Sequence, residues 1–267
     1  MPRGVLMKQN ITYKTIGRRK LLLDVFYPSQ KEASGHPAVI LIHGGGWRSG
    51  ERSQCVPIAQ QLAARGYVAV PVEYRLSLEA KYPAAVQDLQ EAIRWIRSNV
   101  ELYDVDPSRI AVMGFSAGGQ LAALIGTTNK SSEPNDTDGE EKKSCGVQAI
   151  VDVDGILAFK HPESQEGAVA AAWLGGTYEQ DSATWKAASP LTHVDENTAP
   201  ILFINSSLPR FHAGRDDMIK KLSHLNIYSE VQELPQTPHP FWLFHPWFDP
   251  TVNFTVNFLD KMFGVKR

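Results

Sequence analysis

A chain of 267 residues with 43% apolar and 21% charged residues has the composition of an ordinary globular protein, which excludes intrinsic disorder and collagen-like repeats. Its 27 basic and 29 acidic residues leave a net charge of −2, so no basic footprint for nucleic acid or an anionic membrane is present. Two cysteines, Cys55 and Cys145, form neither a disulfide framework nor a paired metal-ligand spacing.

Taken in chain order, the first twenty residues carry charge but no apolar h-region, and no 18-residue apolar run follows. As written, the chain reads as a cytoplasmic protein, or a secreted or periplasmic one whose leader has been trimmed. Two β-like runs, residues 11–16 and 21–27, precede residues 38–42, a continuous aliphatic run that ends in glycines and suits a strand buried on both faces. Residues 57–65 have helical spacing and stop at Gly66 before a strand at 67–72, which makes one βαβ unit. Residues 83–100 carry a helical stripe of Ala84, Ala85, Leu89, Ile93 and Ile96, and Asp106-Pro107 punctuates before the next strand at 110–113. The polar stretch Asn129–Lys143 reads as an exposed loop. Further strands are expected at 147–153, 201–204 and 227–234, with a helix over 213–225. Between Gly155 and Pro200 the alternation breaks for roughly 45 residues, too long for a simple crossover, which predicts a small cap over a site. The expected fold is one α/β domain over 1–267: an eight-stranded, mostly parallel sheet with helices on both faces and a cap-like insertion at about 155–200.

The sharpest chemical signal is Gly114-Phe115-Ser116-Ala117-Gly118, placed between an expected strand and an expected helix at 119–125. A tight strand-to-helix turn needs small flanking residues and lifts the serine Oγ out at the sheet's C-terminal edge, so Ser116 is the candidate nucleophile. The alternative is a helix start made of small residues. His43-Gly44-Gly45-Gly46-Trp47 follows the central strand. The N–H groups of Gly45, Gly46 and Ala117 are candidates for an oxyanion hole, whose donors are worth about 3–4 kcal/mol each. A phosphate-binding glycine loop is the competing reading, although neither a G-x-G-x-x-G nor a P-loop lysine is present.

A general base belongs after the last strand, where His239 lies between two prolines, with His245 six residues further on. The other histidines, including His36, His161, His193 and His224, read as surface groups. The acid is the open position. The segment after the strand at 201–204 is Asn205-Ser206-Ser207-Leu208-Pro209 and contains no carboxylate. Asp154 ends the preceding strand on the same edge as Ser116 and is the favoured acid; Asp217, Asp216 and Asp152 are alternatives, as is a Ser-His dyad. Trp47 and Trp242 are candidate substrate contacts. The aromatics Phe241, Phe244, Trp247 and Phe248 around Trp242 suit either a ligand platform or core packing. Arg210, His212 and Arg215 could pair with a uronate carboxylate or cover a solvated helix start.

With HGGGW at 43–47, YPAAV at 82–86, DPSR at 106–109 and GFSAGG at 114–119, the chain resembles α/β-hydrolase esterases, especially bacterial feruloyl/acetyl xylan esterase-like (BD-FAE-like) carbohydrate esterases and similar pectin acetylesterases. The segments SSLPRFHAGRDDM and TPHPFWLFHPWF carry the likeness less commonly, the first four motifs are broad hydrolase features, and the resemblance covers nearly the whole chain. It implies a serine carboxylic ester hydrolase for acetyl or feruloyl groups on plant polysaccharides such as xylan or pectin, needing neither metal nor organic cofactor. The expected partner is a small-molecule or carbohydrate ester, with no nucleic acid or membrane partner and an open oligomeric state. An arylformamidase, a small-ester carboxylesterase and a catalytically inactive binding protein on the same fold are the rival functions. The missing carboxylate at Asn205–Pro209 departs from the family's usual pattern.

Overall fold

The computed structural model describes residues 1–129 and 143–266; most of the stretch read as an exposed loop, 130–142, lies outside the described residues. Eight strands form one sheet: β1 (Val5–Ile16), β2 (Arg19–Pro28), β3 (His36–Ile42), β4 (Val68–Val72), β5 (Val105–Phe115), β6 (Ala149–Val153), β7 (Ile201–Ser206) and β8 (Ser229–Leu234). Their spatial order is β1-β2-β4-β3-β5-β6-β7-β8. β2 pairs antiparallel with both β1 and β4. The pairings from β4 through β3 to β8 are all parallel. The expected mostly parallel eight-stranded sheet is therefore the observed one.

β3 and β4 are fully buried along their length, as continuous aliphatic runs in the middle of a doubly covered sheet must be. Alternate residues of one strand serve opposite cores. Ile40 and Ile42 join a cluster with Leu89 and Ile93 of α2 (Ala84–Ser98), Leu121 of α4 (Ala117–Thr127), and Met218 and Leu222 of α7 (Arg215–His224). Val39 and Leu41 join another with Ile58 and Leu62 of α1 (Val56–Ala63) and Val252, Val256 and Leu259 of α8 (Phe248–Phe263). The period-2 geometry of a strand thus supplies both layers of helix from one sequence run. A short α3 (Val100–Tyr103) leads into β5. Residues 155–200 contain α5 (Gly167–Leu174) and α6 (Ser182–Ala187).

The 16-residue α8 has no counterpart among the expected elements, where only an aromatic cluster stood out. Its buried residues Val252, Val256 and Leu259 recur at helical spacing and carried the signal. Among the described residues no helix is long and apolar enough to cross a membrane.

Because β3 and β5 to β8 run parallel, their C-terminal ends lie on one edge. That edge carries His43 after β3, Ser116 after β5, Asp154 after β6, Ser206 at the end of β7 and the segment leading to His239 after β8. A crevice outside the carboxyl ends of parallel strands is where open α/β sheets place ligands.

Candidate active site

The turn from β5 into α4 sets Ser116 at φ 55°, ψ −120°, a backbone conformation that L-residues rarely adopt. Its N–H donates to the Val153 carbonyl at 2.8 Å, and its own carbonyl accepts the Gln120 N–H as the helix begins. The turn is possible because of close backbone approach. A Cβ on Gly118 would collide with the carbonyls of Ile42 and His43, and a Cβ on Gly155 would meet the Gln120 nitrogen and Gly119. These two glycines draw the ends of β3 and β6 against the start of α4, which carries the glycine loop and Asp154 to either side of the serine.

Three side chains from three loops then meet. His239 Nε2 lies 2.8 Å from Ser116 Oγ, and His239 Nδ1 lies 3.0 Å from Asp154 Oδ2. The Asp154 side chain is wholly buried, so its carboxylate needs compensating donors. Its second oxygen, Oδ1, accepts the Ser206 N–H at 2.7 Å. One carboxylate is thereby fixed between the backbone of β7 and the imidazole. With the proton on Nδ1, Nε2 is free to accept the serine proton.

Among the other candidate acids, Asp217 is an exposed partner of Lys220 at 2.9 Å and of His161 at 3.4 Å, and Asp216 pairs with Arg215 Nε. Asp152 is buried near Asp154 but among the described residues accepts only the Gly155 N–H, at 2.9 Å. Burial pushes its carboxyl well above the usual carboxylate range; the Gly155 N–H opposes this, and nearby Asp154 adds to the rise. A group with a raised folded-state pKa binds more protons in the native than in the unfolded chain. Its stabilising contribution is complete below the unfolded value of about 3.9 and is lost as pH rises toward the folded value. Asp152→Asn mimics the protonated acid and keeps the Gly155 acceptor. Its Tm relative to the unsubstituted protein should therefore climb by roughly 2–4 °C between pH 4 and pH 8, with turnover within about threefold. A Tm difference that is flat with pH would show that Asp152 is not held neutral.

The glycine loop abuts the serine from the β3 side. Gly45 and Gly46 both have positive φ, 123° and 59°. The N–H groups of Gly45, Gly46 and Ala117 carry no hydrogen bond among the described residues. Gly46, Trp47, Ser116, Ala117 and Asp154 line one cavity of about 250 Å³ together with Ile156, Gln165, Glu166, Val169, Arg210 and Phe211. Gly45 is absent from that lining. Its carbonyl instead accepts the Arg48 and Ser49 N–H groups and holds the loop's turn.

The two tryptophans are placed differently. Trp47 reaches the cavity but is 97% buried: its indole N–H donates to Gln120 Oε1 at 2.8 Å and its face stacks on Trp173 at 5.0 Å. It forms a wall, not an open platform. Trp242 does not line this cavity; it packs between Phe115 and Phe241 and meets the His239 ring edge-on at 5.3 Å. Phe244 is exposed, and His245 is exposed beside Asp249. Arg215 bonds Asn205 Oδ1 at 3.1 Å, so of the three basic candidates only Arg210 lines the cavity.

Sequence reasoning missed Gln120, which is fully buried and bonds both Trp47 and the Ala188 carbonyl, tying the glycine loop and the 155–200 segment to α4. It also missed Phe211. A polar residue one turn into an otherwise apolar helix was the available signal for Gln120; Phe211 had none.

A model of the BD-FAE family matches residues 23–210. The chain belongs to the BD-FAE family. The family match spans β3, the glycine loop, the serine turn and Asp154, and ends before β8 and His239. Among curated proteins, the BD-FAE chain is 31% identical to Esterase LipC of Mycobacterium tuberculosis over 70% of its length and 47% of the relative's. It is 42% identical to Carboxylesterase NlhH of the same organism over 46% of its length and 40% of the relative's. The chain spans about half the length of the curated relatives it matches. Among solved structures it is similar to an acetyl ester-xyloside bifunctional hydrolase from Caldicellulosiruptor lactoaceticus, with TM-score 0.82, 22% identity and 98% and 97% of the two chains covered. A truncated carbohydrate esterase from gut microbiota aligns with TM-score 0.78 and 23% identity over 96% of each chain. At those identities the likeness establishes the α/β-hydrolase fold.

Proposed function

We propose that this chain is a serine esterase that hydrolyses acyl esters through an acyl-enzyme, with Ser116 as nucleophile, His239 as general base and Asp154 as the acid that orients it. The observation that carries the reading is the unbroken relay from Ser116 Oγ through both nitrogens of His239 to a buried carboxylate. His239 takes the serine proton as Oγ attacks the ester carbonyl. The N–H groups of Gly45, Gly46 and Ala117 receive the developing oxyanion. His239 then returns the proton to the leaving alcohol, and water repeats the cycle on the acyl-enzyme.

The substrates we assign are acetyl or feruloyl esters of plant cell-wall polysaccharides such as xylan or pectin. Membership of the BD-FAE family supports this assignment, as do the names of structural neighbours: a carbohydrate esterase and an acetyl ester-xyloside hydrolase. Residues 155–200 act as a cap in this reading, which is supported by Ile156, Gln165, Glu166 and Val169 lining the same cavity as Ser116 and Trp47. A space of about 250 Å³ suits a short acyl group or a single ring, with the rest of a polymer left outside.

The test is release of acetate and ferulate, side by side, from acetylated xylan, acetylated pectin, feruloylated arabinoxylan and 4-nitrophenyl acetate, with N-formylkynurenine alongside. Acid released from a polymer is the expected result and names the substrate. Turnover of the nitrophenyl ester alone would remove the polysaccharide assignment, and preferential cleavage of formylkynurenine would replace the esterase with an amidase.

A further inference from the structure

In the segment after β7, where the sequence offers no carboxylate, the chain forms a 3-10 turn, Pro209–His212. Phe211 in this turn lies face to face with His239, the ring centroids 3.4 Å apart and the planes 9° from parallel. The Arg210 guanidinium sits 4.3 Å from the same Phe211 centroid. Two groups that close cannot share one face of a benzene ring, so Arg210 covers the face opposite the imidazole. The turn is anchored at both ends: the Ser206 N–H donates to Asp154, and the Ala213 carbonyl accepts the N–H groups of Leu157 and Ala158.

The hydrogen bonds at Nδ1 and Nε2 fix two points of the His239 imidazole. They leave the ring free to turn about the line through those points, which tips both nitrogen lone pairs out of line with their partners. Contact over a whole ring face removes that freedom, and a π-face also favours the imidazolium formed during attack. From this geometry we propose that Phe211 is a positioning residue for the reaction: the segment after β7 contributes an aromatic face that sets the plane of His239, while the carboxylate comes from the end of β6. Because His239 and Arg210 take both faces, only the edge of Phe211 is left to line the cavity, so Phe211 does not serve as a stacking platform for substrate. The inference rests on the esterase reading, in which His239 is the base.

The test is steady-state kinetics of Phe211→Leu and Phe211→Tyr on 4-nitrophenyl acetate, with Ser116→Ala as control. Phe211 is half-buried in a surface turn, so both variants should fold, which circular dichroism and Tm verify. Leucine keeps apolar bulk but offers no flat face; misplacement of the base by a fraction of an ångström should lower kcat by about tenfold, with KM within about twofold. Tyrosine restores the face and should keep kcat within about threefold of the original. The assignment is overturned by a Leu variant with unchanged kcat, by a loss confined to KM, or by a Tyr variant as impaired as the Leu variant. Retained turnover in Ser116→Ala would overturn the esterase reading itself; an inactive Ser116→Ala beside an unimpaired Phe211→Leu would overturn the role of Phe211 alone.

Discussion

Ser116→Ala is expected to lower kcat on 4-nitrophenyl acetate by about 10⁵-fold while leaving the protein folded. The hydroxyl it removes is the atom that His239 Nε2 faces at 2.8 Å. Without it the imidazole can act only on water, and the glycine loop can polarise only a carbonyl that nothing attacks. Donors and binding alone leave a residual acceleration of roughly 10³–10⁴ over the uncatalysed reaction, far below the intact machinery. Stability should change little, because alanine inherits the same strained backbone at φ 55° and loses only a half-buried hydroxyl. Paired kinetics and thermal melts decide the matter. Activity within tenfold of the original would remove Ser116 as nucleophile, and mass spectrometry after an organophosphonate should then find the adduct on a different residue.

Asp154→Asn is expected to cost about 10⁴-fold in kcat, with the fold again retained. The reason is the direction of its two hydrogen bonds. Oδ1 accepts the Ser206 N–H at 2.7 Å, so an asparagine must keep its carbonyl oxygen there and turn its NH₂ toward His239 Nδ1. A donor at that position makes Nδ1 the acceptor and moves the imidazole proton to Nε2, the nitrogen that must receive the serine proton. The geometry survives and the tautomer is wrong. Asp217→Asn and Asp216→Asn, both on exposed side chains of α7, should stay within about threefold of the original. An Asp154→Asn enzyme within tenfold of the original, beside a collapsed Asp217→Asn, would move the acid to the helix.

The sheet was legible because buried parallel strands read as uninterrupted aliphatic runs and each crossover helix carried its own stripe, as residues 38–42 and 83–100 do. Ser116 stood out for a related reason: the strand, the small-residue turn and the helix that make its conformation are contiguous in sequence. The glycine loop shares that property, since its φ values of 123° and 59° are a local demand. α8 escaped because its stripe is diluted by threonines and asparagines on a segment that begins with prolines and aromatics.

From sequence, the candidate carboxylates for His239 could be ranked but their contacts could not be read. Asp154 and His239 are 85 residues apart, and their meeting depends on β7 lying between β6 and β8 and offering Ser206 to the same carboxylate. Trp47 and Trp242 looked alike as aromatic residues near the candidate site, yet one walls the cavity and the other packs against the His239 ring.

What the sequence by itself determined, then, are features whose cause is local: strand and helix periodicity, the strained turn at Ser116, the glycine loop, and the base expected after the last strand. What only the tertiary structure decided are the pairings across space: Asp154 with His239, Gln120 with Trp47, and Phe211 on the imidazole face. Periodicity and turn chemistry act over a few residues and leave a mark at each position. A hydrogen bond or a ring stack between loops depends on how several strands order themselves, and no residue in either partner records that order.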